Sequence, residues 1–112
     1  MTKNLRIARL NHTYMEEISI ILREEVKDEE LIDVVITGVN VTSDLSYAKV
    51  YFTVFNKEHK KEITKALNNA APFIRGQLAK RIEIRHTPEL KFIYDDSEEH
   101  GERIDKIIDN LK

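Results

Sequence analysis

VVITGVNVTSDLSYAKVYFTV, residues 34–54, is the stretch whose reading decides the fold. Val34, Val35, Ile36, Thr37, Val39 and Val41 crowd β-branched side chains into one run, and Val50, Tyr51, Phe52, Thr53 and Val54 form a second. Branching at Cβ suits a pleated surface better than a helix. Between the runs lie Ser43, Asp44, Leu45 and Ser46, where short polar side chains can hydrogen-bond the local backbone and reverse the chain. The stretch therefore predicts two antiparallel strands joined by a short turn. Gly38, inside the first run, marks a bulge or a close backbone approach.

On either side the period changes from two to that of a helix. Ile7, Leu10, Tyr14, Ile18, Ile21, Leu22 and Val26 recur at steps of three and four and predict a long first helix ending near Lys27 or Asp28. After the strands, Ile63, Ala66, Leu67 and Ala70 line one helical side, and Lys57, Lys61 and Lys65 rise in steps of four on another. Pro72 lacks an N–H and disfavours the α region at Ala71, so a break is expected at Ala70, Ala71 and Pro72, with a second helix carrying Phe73, Ile74, Leu78 and Ala79 as far as Ile82. Pro88 and the alternation of Leu90, Phe92 and Tyr94 predict a third strand at about 89–95. Asp96 as an N-cap with Glu99 three residues on, then Ile104, Ile107, Ile108 and Leu111, predict a last helix. The element order is α-β-β-α-kink-α-β-α, an α/β arrangement of the α+β kind. No repeat, linker or low-complexity tract interrupts it, so residues 1–112 are expected to form one domain.

Composition narrows the function. The 112 residues are 41% hydrophobic and 34% charged, enough apolar material for one modest core under a well-solvated surface. No apolar run approaches the roughly 20 residues that span a bilayer, and the opening residues lack a signal-type apolar segment, so a cytoplasmic protein without membrane contact is expected. The absence of cysteine excludes disulfides, thiolate nucleophiles and cysteine-ligated metals. His12, His59, His86 and His100 are scattered, and no pair is spaced to share a metal from one element. Asp95, Asp96, Glu98 and Glu99 could supply paired carboxylates to a small metal-dependent hydrolase, but acids in a first helical turn are favoured by the macrodipole alone. Ser43 and Asp44 have no histidine near them in sequence, and no phosphate-binding or dinucleotide-binding glycine motif is present. The reading is a non-enzyme without cofactor, metal or small-molecule substrate.

The net charge of -2 conceals a separation of signs. Residues 16–33 and 92–112 are acidic, whereas residues 1–15 and 57–91 are basic. The candidate phosphate-binding set is Lys57, Lys60, Lys61, Lys65, Arg75, Lys80, Arg81 and Arg85, with Arg6 and Arg9 from the first helix. A rival reading takes the acidic segments as a protein–protein module for basic partners. Tyr51, Phe52, Phe55, Phe92 and Tyr94 read as core or strand residues rather than a base-stacking platform.

These residues also carry a resemblance. VNVTSDLSYAKVYFTV (Val39–Val54), KALNNAAPFIRGQLAKRIEIRHTPELKFIYDDS (Lys65–Ser97), HGERIDKIIDNL (His100–Leu111) and RIARLNHTYMEEISIIL (Arg6–Leu22) resemble the bacterial ribosome-binding factor A family over nearly the whole chain. The most specific pieces are Asp44-Leu45-Ser46 followed by Ala48-Lys49-Val50, and Arg85 through Pro88-Glu89-Leu90 to Phe92. The resemblance implies a type II KH-like fold, in which a three-stranded sheet packs against helices. It also implies a cytoplasmic factor that binds the small ribosomal subunit and its ribosomal RNA during maturation, notably at 5′-end processing; the chain is expected to act as a monomer. Two departures stand out: Ala70, Ala71 and Pro72 occupy the place of the family's Ala-x-Gly kink, and Asp28, Glu29 and Glu30 stand where relatives often have Asp-Pro-Arg.

Overall fold

The computed structural model describes residues 2–26, 28–31, 33–55, 57–83 and 86–96, with side chains from Arg6 onward. The expected last helix and Arg85 lie outside the described residues.

Helix α1 (Thr2–Glu24) buries Tyr14, Ile18, Ile21 and Leu22, the stripe that the helical spacing predicts, and leaves Arg6, Arg9, His12, Thr13 and Glu16 exposed. It ends a little before the expected point: the N–H groups of Glu25 and Val26 both return to the Ile21 carbonyl, at 2.8 and 3.0 Å. A 3-10 turn over Glu29–Leu31 follows, in which Asp28 Oδ1 accepts the Glu30 N–H and Leu31 drops into the core.

Strands β1 (Val35–Val41) and β2 (Tyr47–Thr53) pair antiparallel, with the register slipping by one residue between Ile36 and Gly38. The bulge thus falls at the glycine that predicts it, although no positive φ demands a glycine there. The connecting turn is held by Asp44, whose Oδ1 accepts from the Ser46 N–H at 3.0 Å and the Thr42 hydroxyl at 2.8 Å. Those bonds, the Ser46 N–H first, stabilise the charged carboxylate and lower its pKa to about 2. Leu45 takes φ 62, a left-handed conformation that costs a non-glycine residue about 1 kcal/mol; its side chain packs against the core in return.

A 3-10 turn over Lys57–His59 leads into helix α2 (Lys60–Arg81), and strand β3 (Glu89–Tyr94) then pairs parallel with β2, giving the sheet order β1-β2-β3. Parallel neighbours need a crossover, and α2 supplies it. The expected break into two helices is corrected here. α2 is one uninterrupted helix with Pro72 inside it, burying Ile63, Leu67, Ala71, Ile74 and Leu78 along a single stripe. Pro72 itself is exposed, so the Asn68 carbonyl that loses its i+4 donor lies on the solvent side, where water can take the donor's place.

Both helices cover the same face of the sheet. Ile36, Val39, Val41, Ala48, Val50, Phe52, Leu90 and Phe92 point into that layer, and among the described residues the core contains no buried polar residue apart from the hydroxyl end of Tyr14. The free edge of β3 is closed at its centre by Asn68 of α2. Its Oδ1 accepts the Phe92 N–H at 2.9 Å while its Nδ2 donates to the Phe92 carbonyl at 3.1 Å, so the amide imitates one residue of a further strand. The opposite face of the sheet carries no described element.

Candidate nucleic-acid interface

α2 sorts the predicted cations by their helical position. Lys61, Lys65, Asn69, Pro72, Gly76 and Lys80 follow one another at steps of three and four, and all are exposed. They form an outward strip opposite the buried stripe, running roughly 28 Å at 1.5 Å rise per residue. Lys61, Lys65 and Lys80 make no ion pair with a described residue. Phe73, one step off this strip, is an aromatic ring 48% exposed beside it. Lys57 precedes the strip in the 3-10 turn and is exposed.

The other predicted cations are not collected there. Lys60 turns away, with its Nζ 5.0 Å from the centroid of the Tyr94 ring. Arg75 directs both Nε and Nη2 at the Thr87 carbonyl, at 3.0 and 2.8 Å, and so ties α2 to the segment leading into β3 through the fully buried Pro88. Arg81 faces the end of α1, where Glu17 and Glu24, with Glu25 just beyond the helix, lie 3.4, 3.9 and 3.6 Å from its guanidinium. Three carboxylates around one guanidinium cancel its field at the surface. Arg6 and Arg9 are exposed one turn apart on α1, on a different element from the lysine strip. Next to the start of α2, Glu29, Glu30, Asp33 and Glu62 line a shallow depression with His59, so the positive strip is bounded by acid at that end.

Of the candidate carboxylates, Asp95 Oδ2 accepts the Thr37 hydroxyl at 2.7 Å, and Glu98 and Glu99 lie outside the described residues; among the described residues no cluster of three or more His, Asp or Glu fit to hold a metal occurs. Among the same residues, no helix is long and apolar enough to cross a membrane.

The sequence reading overlooked the uncovered face of the sheet. Tyr47, Lys49 and Tyr51 alternate with buried Ala48, Val50 and Phe52, so they share the side away from the helices. Lys91 stands directly beside Lys49, and Ile93 beside Tyr51. The strict period of two in β2 was the available signal. Of the aromatics expected in core or strands, Phe52 and Phe92 are buried, Tyr51 and Tyr94 are half-buried, and Phe55 is 81% exposed just after β2; Tyr47, outside that set, is 56% exposed.

An αββαβ order, a mixed three-stranded sheet and two helices on one of its faces define a small α+β protein. Residues 6–108 match the family described as Ribosome-binding factor A. A ribosome-binding factor A from Vesicomyosocius okutanii is 42% identical over 106 residues, covering 95% of this chain and 92% of the relative. The chain belongs to the ribosome-binding factor A family. Its fold matches the crystal structure of ribosome-binding factor A from Thermus thermophilus with TM-score 0.72 at 24% identity, over 79% of this chain and 94% of that one. A homology model of Thermus thermophilus ribosome binding factor A, fitted into the cryo-electron microscopy map of its 30S complex, matches with TM-score 0.58 at 26% identity, over 80% of this chain and 91% of that one.

Proposed function

We propose that this protein is a non-catalytic, cytoplasmic assembly factor that binds the maturing small ribosomal subunit as a monomer. It contacts the subunit's ribosomal RNA and acts while the 5′ end of that RNA is processed. The observation that carries the reading is membership of a family whose relatives are named for ribosome binding, one of them fitted into a 30S complex. The exposed strip of Lys61, Lys65 and Lys80, extended by Lys57 at one end, supports it chemically. Three ammonium groups spread over about 28 Å of one helix, two of them a turn apart at one end, can meet a phosphate backbone, release its condensed counterions and hold a helical RNA by shape rather than by base sequence. Arg6 and Arg9 add a second point of contact on α1, and Arg85 is placed with the cationic set by its sequence position. Arg75 and Arg81 serve first as structural ties, the one to Thr87 and the other to α1.

Sedimentation tests this reading. The full chain, mixed with precursor small subunits at low salt, is expected to travel with them, to leave them as salt is raised, and not to travel with intact 70S ribosomes. A chain that stays at the top of the gradient under all these conditions would contradict the proposal.

A further inference from the structure

The face of the sheet turned away from both helices has a composition that folding does not explain. On it, Lys49 and Lys91 are direct cross-strand neighbours in the parallel β2/β3 register. Like charges placed opposite each other on a sheet destabilise it. No described residue forms an ion pair with either, so the repulsion stands uncompensated within the described fold. On the two sides of this pair along β2 lie the rings of Tyr47, 56% exposed, and Tyr51, half-buried. The rings are four residues apart, about 13 Å, with the two ammonium groups between them. The acids on this face sit at its margins: Glu89 beside Tyr47, and Asp95 tied to Thr37 across β2.

We propose that this face is a second binding site, one for a short single-stranded segment of nucleic acid. It rests on the reading of the protein as an RNA-binding factor and adds to the α2 strip a surface of a different kind. Bases stack on Tyr47 and Tyr51, and the phosphates between them lie over Lys49 and Lys91. Stacking needs no particular base, because every base presents a π-face, and the lysine pair gains the counter-charge that the sheet lacks. The two surfaces divide the work: the convex lysine strip of α2 suits a duplex backbone, whereas a flat sheet with aromatic rings suits bases that are already unpaired.

The test is an NMR titration of the full chain with a 12-nucleotide single-stranded oligouridylate, alongside sedimentation of the same samples with precursor small subunits. The expected result is that resonances of Tyr47, Lys49, Tyr51, Lys91 and Ile93 shift, and that Tyr47→Ala weakens oligonucleotide binding about tenfold. Lys49→Glu is expected to weaken it at least as much while the melting temperature holds or rises, since the new carboxylate faces Lys91. That opposite movement of binding and stability separates a ligand site from a folding defect. Shifts confined to α2, unchanged affinity in both variants, or contacts from residues 97–112 onto Tyr47 and Tyr51 in the free protein would each overturn the site. If the unmodified chain binds subunits but not the oligonucleotide, the sheet site alone fails; if it binds neither, the RNA-binding reading fails with it.

Discussion

At the scale of single residues, three side chains show how local chemistry sets measurable properties. Tyr14 is wholly buried, and its hydroxyl finds no hydrogen-bond partner among the described groups. Burial alone pushes its pKa up to about 12, because the phenolate would lose its hydration. The fold therefore resists ionisation of a group that ionises near pH 10 in the unfolded chain, and stability falls as pH rises from about 10 towards 12. Tyr14→Phe removes an unpaired polar atom and is expected to raise stability by about 1 kcal/mol in urea titrations near neutral pH and to flatten that alkaline decline. Asp44 works in the other direction. Its lowered pKa means that its contribution is complete above about pH 4 and lost as pH falls towards 2. Unfolding curves of Asp44→Asn are expected to depend less on pH across that interval. Asn68 holds the edge of β3 through both atoms of its amide, so Asn68→Ala should leave the Phe92 backbone groups without partners. A loss of about 1 kcal/mol is expected, with faster amide exchange at Phe92 as the local sign.

At the scale of elements, α1, both strands of the hairpin and the Gly38 bulge were legible because each expresses one clear period or one glycine in a β-rich run. The third strand was legible from the alternation after Pro88. Pro72 misled, because a proline costs a helix one hydrogen bond and a ring clash but does not end it where packing on both sides outweighs that cost. Here Ala71 and Ile74 pack inward, Pro72 points to water, and the apolar stripe on both sides of it belongs to one surface, so packing holds α2 together across the proline. The lysine strip could be read from spacing, but the diversion of Lys60, Arg75 and Arg81 could not: each meets a partner far away in sequence, at Tyr94, at Thr87 or on α1. The open sheet face went unread because Tyr47 and Tyr51 look apolar in isolation, and only the pairing of β2 with β3 places Lys91 between them. Since α2 already runs through Pro72, Pro72→Ala is expected to stabilise it by about 1 kcal/mol, by restoring the missing N–H and relieving the ring's clash with the Asn68 carbonyl. Slower hydrogen exchange over residues 68–76, together with a higher melting temperature, would check this. A lower melting temperature would show that the proline geometry is required by the packing.

At the scale of the whole molecule, a net charge of -2 would repel RNA if the charge were spread evenly. The fold instead engages much of its acid locally: Glu17, Glu24 and Glu25 gather around Arg81, and Glu29, Glu30, Asp33 and Glu62 gather beside the start of α2. What remains along the outward side of α2 is positive at Lys61, Lys65 and Lys80, with neutral Asn69, Pro72 and Gly76 between. Binding is then set by that local strip, and its strength must fall steeply with salt, since each phosphate contact releases counterions. Lys61, Lys65 and Lys80 contribute little to folding, because they are exposed and form no ion pair with a described residue. The most direct measurement is therefore the salt dependence of association with precursor small subunits, compared between the unmodified chain and the triple variant Lys61→Glu, Lys65→Glu, Lys80→Glu. The expected result is a large loss of affinity, a log–log salt slope shallower by about 0.9 for each lost contact, and an unchanged melting temperature. A folded triple variant that binds precursor subunits with the original affinity and the original slope would contradict the account.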